Sequence, residues 1–126
     1  MAEQHVINVA TGMASCGMCP VVIGIGAFVI MRCFEQIRTM VAYNNYNVKL
    51  IGLWSGLYYT DQGHTHTLIE DIALMRTLPN TTIYSPSDYK ETAAVVYSAI
   101  ETHGFSYISS RSPFVFKKLP LRVFCF

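Results

Sequence analysis

The sequence predicts an α/β domain in which a mostly parallel sheet is covered by helices on both faces. Short apolar, β-branched runs alternate with segments whose apolar residues recur at helical spacing. The runs are continuous rather than alternating, as expected for strands buried on both faces. The resulting order, α-β-α-β-α-β-α-β, favours parallel strands joined by helices.

Eight elements follow from this pattern, and glycine, proline and capping residues mark their ends. Gly17 and Pro20 stop the first helix, and Asp88 and Glu91 have the spacing of a capping box. The predicted order is a helix from near residue 3, strand 21–25, a helix to about residue 43, strand 48–54, helix 67–77, strand 82–84, helix 86–102 and strand 105–109. The inward-facing stripes of the second and third helices are predicted to be Cys33, Phe34, Ile37, Met40 and Val41, and Leu68, Ile72 and Met75.

The composition limits the classes of function. The chain has 126 residues, enough for one core, with 52% hydrophobic and 13% charged residues and a net charge of +1. This charge gives no reason to expect binding to nucleic acid or to an anionic membrane. So little charge beside so much apolar surface indicates that a partner covers part of the chain.

The cysteines predict a reduced, cytoplasmic protein. Four cysteines at irregular spacing form no disulfide framework, and no secretory signal is recognisable. Cys16 and Cys19 have redox spacing, but the motif closes a predicted helix instead of opening one. We therefore interpret the cysteines as small interior thiols, with redox or zinc chemistry as the alternative.

One uncharged stretch, residues 12–31, is long enough to span a bilayer. Its glycines and Pro20 interrupt the pattern, so two shorter elements explain it better than a membrane span.

At the chain ends, we expect residues 1–113 to form a partial domain truncated at both ends. Residues 114–126 form an apolar tail that fits neither period.

The polar loop of residues 56–66 is the first candidate site, because ligands gather where parallel strands end. His64 and His66 could bind a metal, but no third ligand at zinc spacing accompanies them. A solvated polar loop and an organic ligand site remain the alternatives. Gly24 and Gly26 have dinucleotide-motif spacing without the third glycine, which favours a close-packed backbone. By composition alone, Glu3 and His5 are exposed residues at a chain start.

Several ordered segments together resemble the pyrimidine-binding domain of the transketolase family, the thiamine-diphosphate enzymes. They are the 2–5 segment Ala-Glu-Gln-His, Phe28 and Arg32 with the 34–38 segment Phe-Glu-Gln-Ile-Arg, Gly63 with Thr65, His66 and Glu70, Arg76 with the 78–80 segment Leu-Pro-Asn, Pro86 with Asp88 and Glu91, and Ser110 with Arg111. The resemblance is strongest to the C-terminal subunit of two-chain transketolases.

This resemblance implies roles for particular residues. Glu3 would hydrogen-bond the ring nitrogen of the cofactor's aminopyrimidine, and Phe28 would stack on that ring. His66 would bind substrate hydroxyls and assist proton transfer, and Arg111 would hold the sugar phosphate. Gln62 would also contact substrate, at a position where the family usually has an acid. His64, Thr67 and Trp54 are further departures from the family pattern.

The resemblance also implies what the chain needs from elsewhere. The family's Gly-Asp-Gly segment, which binds Mg²⁺ and the diphosphate, does not occur in this sequence. We therefore expect a diphosphate-binding partner subunit or domain to supply the metal ligands, within a homodimer or heterotetramer. The implied activity is transfer of a two-carbon ketol unit between sugar phosphates. The alternatives are a truncated, non-catalytic interaction module and a subunit resembling deoxyxylulose-phosphate synthase or a 2-oxoacid dehydrogenase β chain.

Overall fold

Four parallel strands form one sheet in the part of the chain that the computed structural model describes, residues 2–111. The helices and strands are α1 (Glu3–Ser15), β1 (Val21–Ile25), α2 (Phe34–Gln36), β2 (Lys49–Leu53), α3 (Asp71–Arg76), β3 (Thr81–Tyr84), α4 (Tyr89–Glu101) and β4 (Phe105–Ser110). The strand order is β1-β2-β4-β3. The predicted apolar tail lies outside the described residues.

Helices cover both faces of this sheet, which confirms the predicted fold class. On one face, Leu50 of β2 and Tyr107 of β4 pack with the buried side of α1 and with Met75 of α3. On the other face, the neighbouring strand residues Ile51 and Ile108 pack against α4. Because adjacent strand residues point to opposite faces, each central strand contributes to both cores.

The second predicted helix is present but is not a regular α-helix. π-Helical turns at Ala27–Met31 and Ile37–Ala42 flank the short α2. The Cys33 thiol lies 3.5 Å from the carbonyl oxygen of Phe28, five residues earlier, in line with this wider turn. Cys33, Ile37 and Val41 are buried as predicted, whereas Met40 is exposed. Wide turns of this kind often occur at functional sites.

The prediction for the third helix is wrong at its start and in part of its inward stripe. The predicted start is residue 67, but α3 begins at Asp71. Leu68 instead pairs with Gly56 in an antiparallel bridge that closes the base of the loop. Leu68 and Met75 are buried as predicted, but Ile72 is exposed.

Two other predictions are confirmed by local geometry. A Cβ atom on Gly24 would lie 2.5 Å from Val29 Cγ1, and one on Gly26 would lie 2.5 Å from Leu68 Cδ2. A side chain at either position would force its neighbour to shift, so close packing favours glycine at both. At the start of α4, the Asp88 side chain accepts from the Glu91 amide, and Glu91 in turn accepts from the Ser87 amide.

The uncharged stretch from residue 12 to residue 31 is divided among α1, β1 and the first π-helical turn. No helix within residues 2–111 is long and apolar enough to cross a membrane. The interpretation of the cysteines as interior thiols is correct for Cys33, which is fully buried, but wrong for Cys16, which is exposed. Cys16 directly follows Ser15, the last residue of α1, and it lies at the surface instead of in the core.

Candidate active site

The site lies at the carboxyl edge of the sheet and is built from three separate parts of the chain. The first turn of α1 supplies Glu3, and the π-helical turn after β1 supplies Phe28, with Arg32 directly after that turn. The loop after β2 supplies His66. Parallel strands place all their carboxyl ends at one edge, so residues distant in sequence meet there.

Glu3 is a buried carboxylate. The residue is only 6% exposed, and its Oε2 accepts a hydrogen bond of 2.9 Å from Arg32 Nη1. A hydrogen bond from its own backbone amide and the bond from Arg32 lower the pKa of Glu3 against the opposing effect of burial. The interpretation of Glu3 as an exposed residue at a chain start is therefore wrong, because α1 packs this end against the segment after β1.

Phe28 joins the Glu3 side of the cluster to the loop. The Arg32 guanidinium lies over its ring, 4.7 Å from the centroid. The Phe28 and His66 rings make an edge contact, with 5.0 Å between their centroids and 71° between their planes. Glu3, Phe28 and His66 are thus connected through direct neighbours, as one continuous cluster.

His66 is half-buried and held on two sides. Its Nδ1 lies 3.0 Å from the Thr65 hydroxyl, and Tyr59 makes an edge contact with 5.6 Å between ring centroids. Tyr59 in turn stacks on Trp54 at 4.7 Å. Trp54 has a positive φ of 57°, an uncommon conformation for a non-glycine residue, at the point where β2 turns into the loop.

The other predicted site residues lie at the same edge but outside this cluster. Gln62 is exposed in a 3₁₀ turn and bonds to neighbouring Asp61 at 3.3 Å. Arg111 is exposed and directly follows β4, whose last residue is paired with Leu53 at the end of β2. His64 is exposed and makes no ring contact with the cluster within residues 2–111.

A buried network holds the base of the loop in place. Asp71 Oδ2 accepts hydrogen bonds of 2.7 Å from both the Tyr107 and Ser109 hydroxyls of β4. These bonds fasten the start of α3 to the centre of the sheet. Burial is the largest cause that raises the pKa of Tyr107, followed by the Asp71 charge. Tyr107 therefore remains a protonated donor at neutral pH.

The residues present fit the aminopyrimidine of thiamine diphosphate. A buried carboxylate lies beside an aromatic face, and the planar guanidinium of Arg32 already makes contact with both. A planar ring with polar nitrogens suits the same surroundings. No group of three or more His, Cys, Asp or Glu side chains that could hold a metal occurs in the part of the chain that the structure describes.

Sequence reasoning did not find the parts played by Arg32, Tyr59 and Asp71. Arg32 follows Phe28 by four residues, a spacing that places side chains together on a helix, so this contact could have been predicted. Tyr59 meets His66 only because the Gly56–Leu68 bridge folds the loop back on itself. No local pattern marks that contact.

The fold and this cluster define an α/β domain with a cluster of charged and aromatic side chains at the carboxyl edge of its parallel sheet. The family described as transketolase, pyrimidine binding domain, matches residues 1–112. The chain belongs to this family.

Similar proteins include a putative transketolase C-terminal section of Methanocaldococcus jannaschii, 35% identical over 86% of this chain and 34% of that protein. A second relative, from Actinobacillus succinogenes, is one of the subunits of an apulose-4-phosphate transketolase. It is 40% identical over 86% of this chain and 35% of that protein. The chain thus spans about a third of the length of these relatives.

A solved structure described as a split gene transketolase, inactive beta4 tetramer, superposes with a TM-score of 0.77. It is 37% identical and covers 89% of this chain, whereas the chain covers 36% of it. Transketolase from Leishmania mexicana, at 21% identity and a TM-score of 0.75, shares the fold. The match to that structure covers 87% of this chain and 17% of the other.

Proposed function

We propose that the chain is the pyrimidine-binding half of a transketolase-type enzyme, which transfers a two-carbon ketol unit from a ketose phosphate to an aldose phosphate. The observation that carries this proposal is the series of contacts that runs from Glu3 through Arg32 and Phe28 to His66. These are the residues to which the family pattern gives cofactor and substrate roles. They come from three elements, and only the fold brings them together.

Each residue has a task that its surroundings support. Glu3, buried beside Phe28, binds the ring nitrogen of the aminopyrimidine, while Phe28 stacks on the ring. When bound, thiamine diphosphate supplies the nucleophilic carbon that adds to the ketose carbonyl. His66 makes a ring contact with Phe28 and takes the substrate end of the cleft in this proposal. Its bond to Thr65 occupies Nδ1 and leaves Nε2 for a substrate hydroxyl.

A partner must complete the site in this proposal. The partner contributes the diphosphate and Mg²⁺ ligands, and the assembled enzyme is a homodimer or heterotetramer. Two exposed apolar side chains at the base of the loop support a surface that the partner covers. Leu57 is 68% and Ile69 66% exposed, and each follows one member of the Gly56–Leu68 bridge. The relatives from M. jannaschii and A. succinogenes are likewise named as a section and a subunit of transketolases.

Reconstitution tests the proposal. The chain is mixed with a diphosphate-domain subunit from a two-chain transketolase, thiamine diphosphate and Mg²⁺, and ketol transfer is measured. We expect activity with the wild-type chain and a loss of at least about 100-fold with Glu3→Gln, because the amide cannot exchange a proton with the ring nitrogen. Glu35→Gln is the matched control, since the side-chain bonds of Glu35 within residues 2–111 are local ones, to Gln36 and Thr39. Full activity of Glu3→Gln would exclude the role given to Glu3.

Gln62 and Arg111 are proposed to choose and hold the substrate. Similar enzymes are named for different ketoses, one an apulose-4-phosphate and another a 6-deoxy-6-sulfo-D-fructose transketolase. Gln62→Asp should therefore change the ratio of kcat/KM values between two ketose phosphates, because a carboxylate accepts from hydroxyls without donating. Arg111→Met should raise KM for phosphorylated substrates more than it lowers kcat. An unchanged ratio of kcat/KM values would contradict the role given to Gln62, and a fall in kcat with an unchanged KM would contradict the role given to Arg111.

A further inference from the structure

Arg32 makes contact with both groups that the proposed function assigns to the aminopyrimidine. Its Nη1 donates to Glu3 Oε2 at 2.9 Å, and its guanidinium carbon lies 4.7 Å from the Phe28 centroid. A guanidinium is planar, carries N–H donors at its rim and stacks on aromatic faces. In shape and in contacts, it is a side-chain equivalent of the ring that the site would bind.

The two occupants cannot share these contacts. Arg32 lies over the Phe28 ring and donates to Glu3, so a pyrimidine that stacks on this face and reaches Glu3 needs the space that the guanidinium occupies. The ion pair also holds Glu3 as a carboxylate, because the bond from Arg32 is among the causes that lower its pKa. A carboxyl group that donates to a ring nitrogen must instead carry the proton. Departure of Arg32 uncovers the ring face and removes one of the causes that hold Glu3 in its charged form.

The Arg32 side chain can leave while its backbone stays. Its side chain is 50% exposed, whereas that of Glu3 is 8% exposed. Gln4 Nε2 donates to the Arg32 carbonyl oxygen at 3.1 Å, which ties the backbone of this segment to α1 independently of the guanidinium. Rotation of the side chain toward solvent would therefore open the pocket without moving α1 or the segment after β1.

We propose that Arg32 is an internal competitor for the aminopyrimidine: it fills the Glu3–Phe28 pocket in the free chain and leaves when the ring binds. The inference rests on the proposed function, since it takes Glu3 and Phe28 as the pyrimidine contacts. Its consequence is that the free chain holds the pocket in a preformed shape but binds the ring more weakly than the pocket alone would.

The test is a ligand-observed NMR titration of the full chain with the neutral dimethyl-aminopyrimidine that corresponds to thiamine's pyrimidine half. This probe has no diphosphate, so it needs no partner subunit. Arg32→Met should bind it roughly three- to tenfold more tightly than wild type, the range expected from losing one exposed ion pair and one cation–π contact. Phe28→Ala should lose binding.

Arg38→Met is the matched control, because Arg38 belongs to the same helical stretch and lies over Tyr43 at 4.6 Å, away from Glu3. It should bind like wild type. Unchanged or weaker binding by Arg32→Met, with binding still lost in Phe28→Ala, would overturn the competition and leave the proposed pocket intact. No binding by the wild type or any folded variant would instead overturn the pyrimidine site and with it the proposed function.

A second measurement uses the wild-type chain alone, so it does not depend on whether any variant folds. Salt weakens a half-exposed ion pair but has little effect on a neutral ligand. The affinity of the wild-type chain for the probe should therefore rise by about twofold or more between low and high ionic strength. A flat or falling salt dependence would contradict displacement of Arg32.

Discussion

Glu3 and Cys33 show how one ion pair at the site affects two neighbouring titrations. The hydrogen bond from its own backbone amide, and then the bond from Arg32, lower the pKa of the Glu3 carboxyl. Burial first, and the Glu3 charge second, raise the pKa of Cys33 to about 11, while the Arg32 charge opposes this rise. The carboxylate is thus stabilised as the charged form and the thiol as the neutral form.

The lowered pKa of Glu3 predicts a pH-dependent contribution to stability. A carboxyl whose pKa lies below its ordinary 4.5 in the folded chain stabilises the fold above that pH and loses this contribution as pH falls through the lowered value. Wild type should exceed Glu3→Gln by about 1 kcal/mol at neutral pH, since Arg32 is half-exposed and solvent screens the pair. Urea titrations at several pH values should show this gap closing below pH 4.5. A gap that stays constant into the acid range would contradict the lowered pKa of Glu3.

Cysteine reactivity provides a second prediction at the same scale. In a Cys125→Ser chain, a thiol reagent at neutral to mildly alkaline pH should label exposed Cys16 at least about 100-fold faster than Cys33. Cys33 is fully buried and remains protonated there, so it reacts only when the fold opens. Mass spectrometry of the labelled peptides measures both rates. Equal rates would show that the segment after β1 is not packed as described.

At the scale of elements, the attachment of α3 to β4 sets the position of the loop. Asp71 is a buried acceptor for two hydroxyl donors, and removing it takes this acceptor away from both. Asp71→Ala should lower the free energy of unfolding by about 2–4 kcal/mol, and Tyr107→Phe by about 1 kcal/mol. Chemical denaturation measures both.

The double variant separates a network from independent losses. If Asp71 and Tyr107 act through their shared hydrogen bond, the combined cost should fall short of the sum by at least about 0.5 kcal/mol. Strict additivity would indicate that the two side chains stabilise the fold separately.

The succession of elements could be predicted because each carries its own local signal. Continuous apolar runs identified the buried strands, and Asp88 with Glu91 identified the start of α4. The start of α3 could not be predicted, because Leu68 has the spacing of a helical residue but is drawn into a bridge with Gly56. The π-helical turns also have no marker in periodicity, since they change hydrogen-bond partners without moving the apolar stripe far. In both places, contacts with distant residues override the local helical propensity.

For the candidate site, the sequence indicated which residues matter but not how they meet. The family pattern named Glu3, Phe28 and His66 separately, and their roles remain predictions. That Arg32 lies between Glu3 and Phe28 depends on the angle at which α1 packs, which no sequence spacing gives. The positions of Gln62 and Arg111 outside the cluster likewise follow from the loop and the end of β4.

For the whole molecule, the exposed apolar residues beside the loop predict where a partner binds. Leu57→Lys should weaken binding of the diphosphate-domain subunit by about tenfold or more, because a charge would be buried in the interface. The stability of the free chain should change by less than about 0.5 kcal/mol, since Leu57 is mostly in solvent.

Tyr97→Lys is the control for this variant. Tyr97 is an exposed residue of α4, the helix that packs against Ile51 and Ile108. Titration calorimetry of each variant with the partner subunit measures the affinities. If Tyr97→Lys weakens binding and Leu57→Lys does not, the interface lies over α4 instead of the loop.

The sequence contains one tryptophan, and the fold places it at the loop, stacked on Tyr59 next to His66. Its emission therefore reports on this loop alone, whereas circular dichroism reports on every helix and strand. If the two signals change at the same denaturant concentration, the loop opens only with the whole domain. If emission changes first, the loop opens by itself, and the midpoint and slope of the emission transition together give the free energy of that local opening. A natural fluorophore thus lets this region be followed without any label.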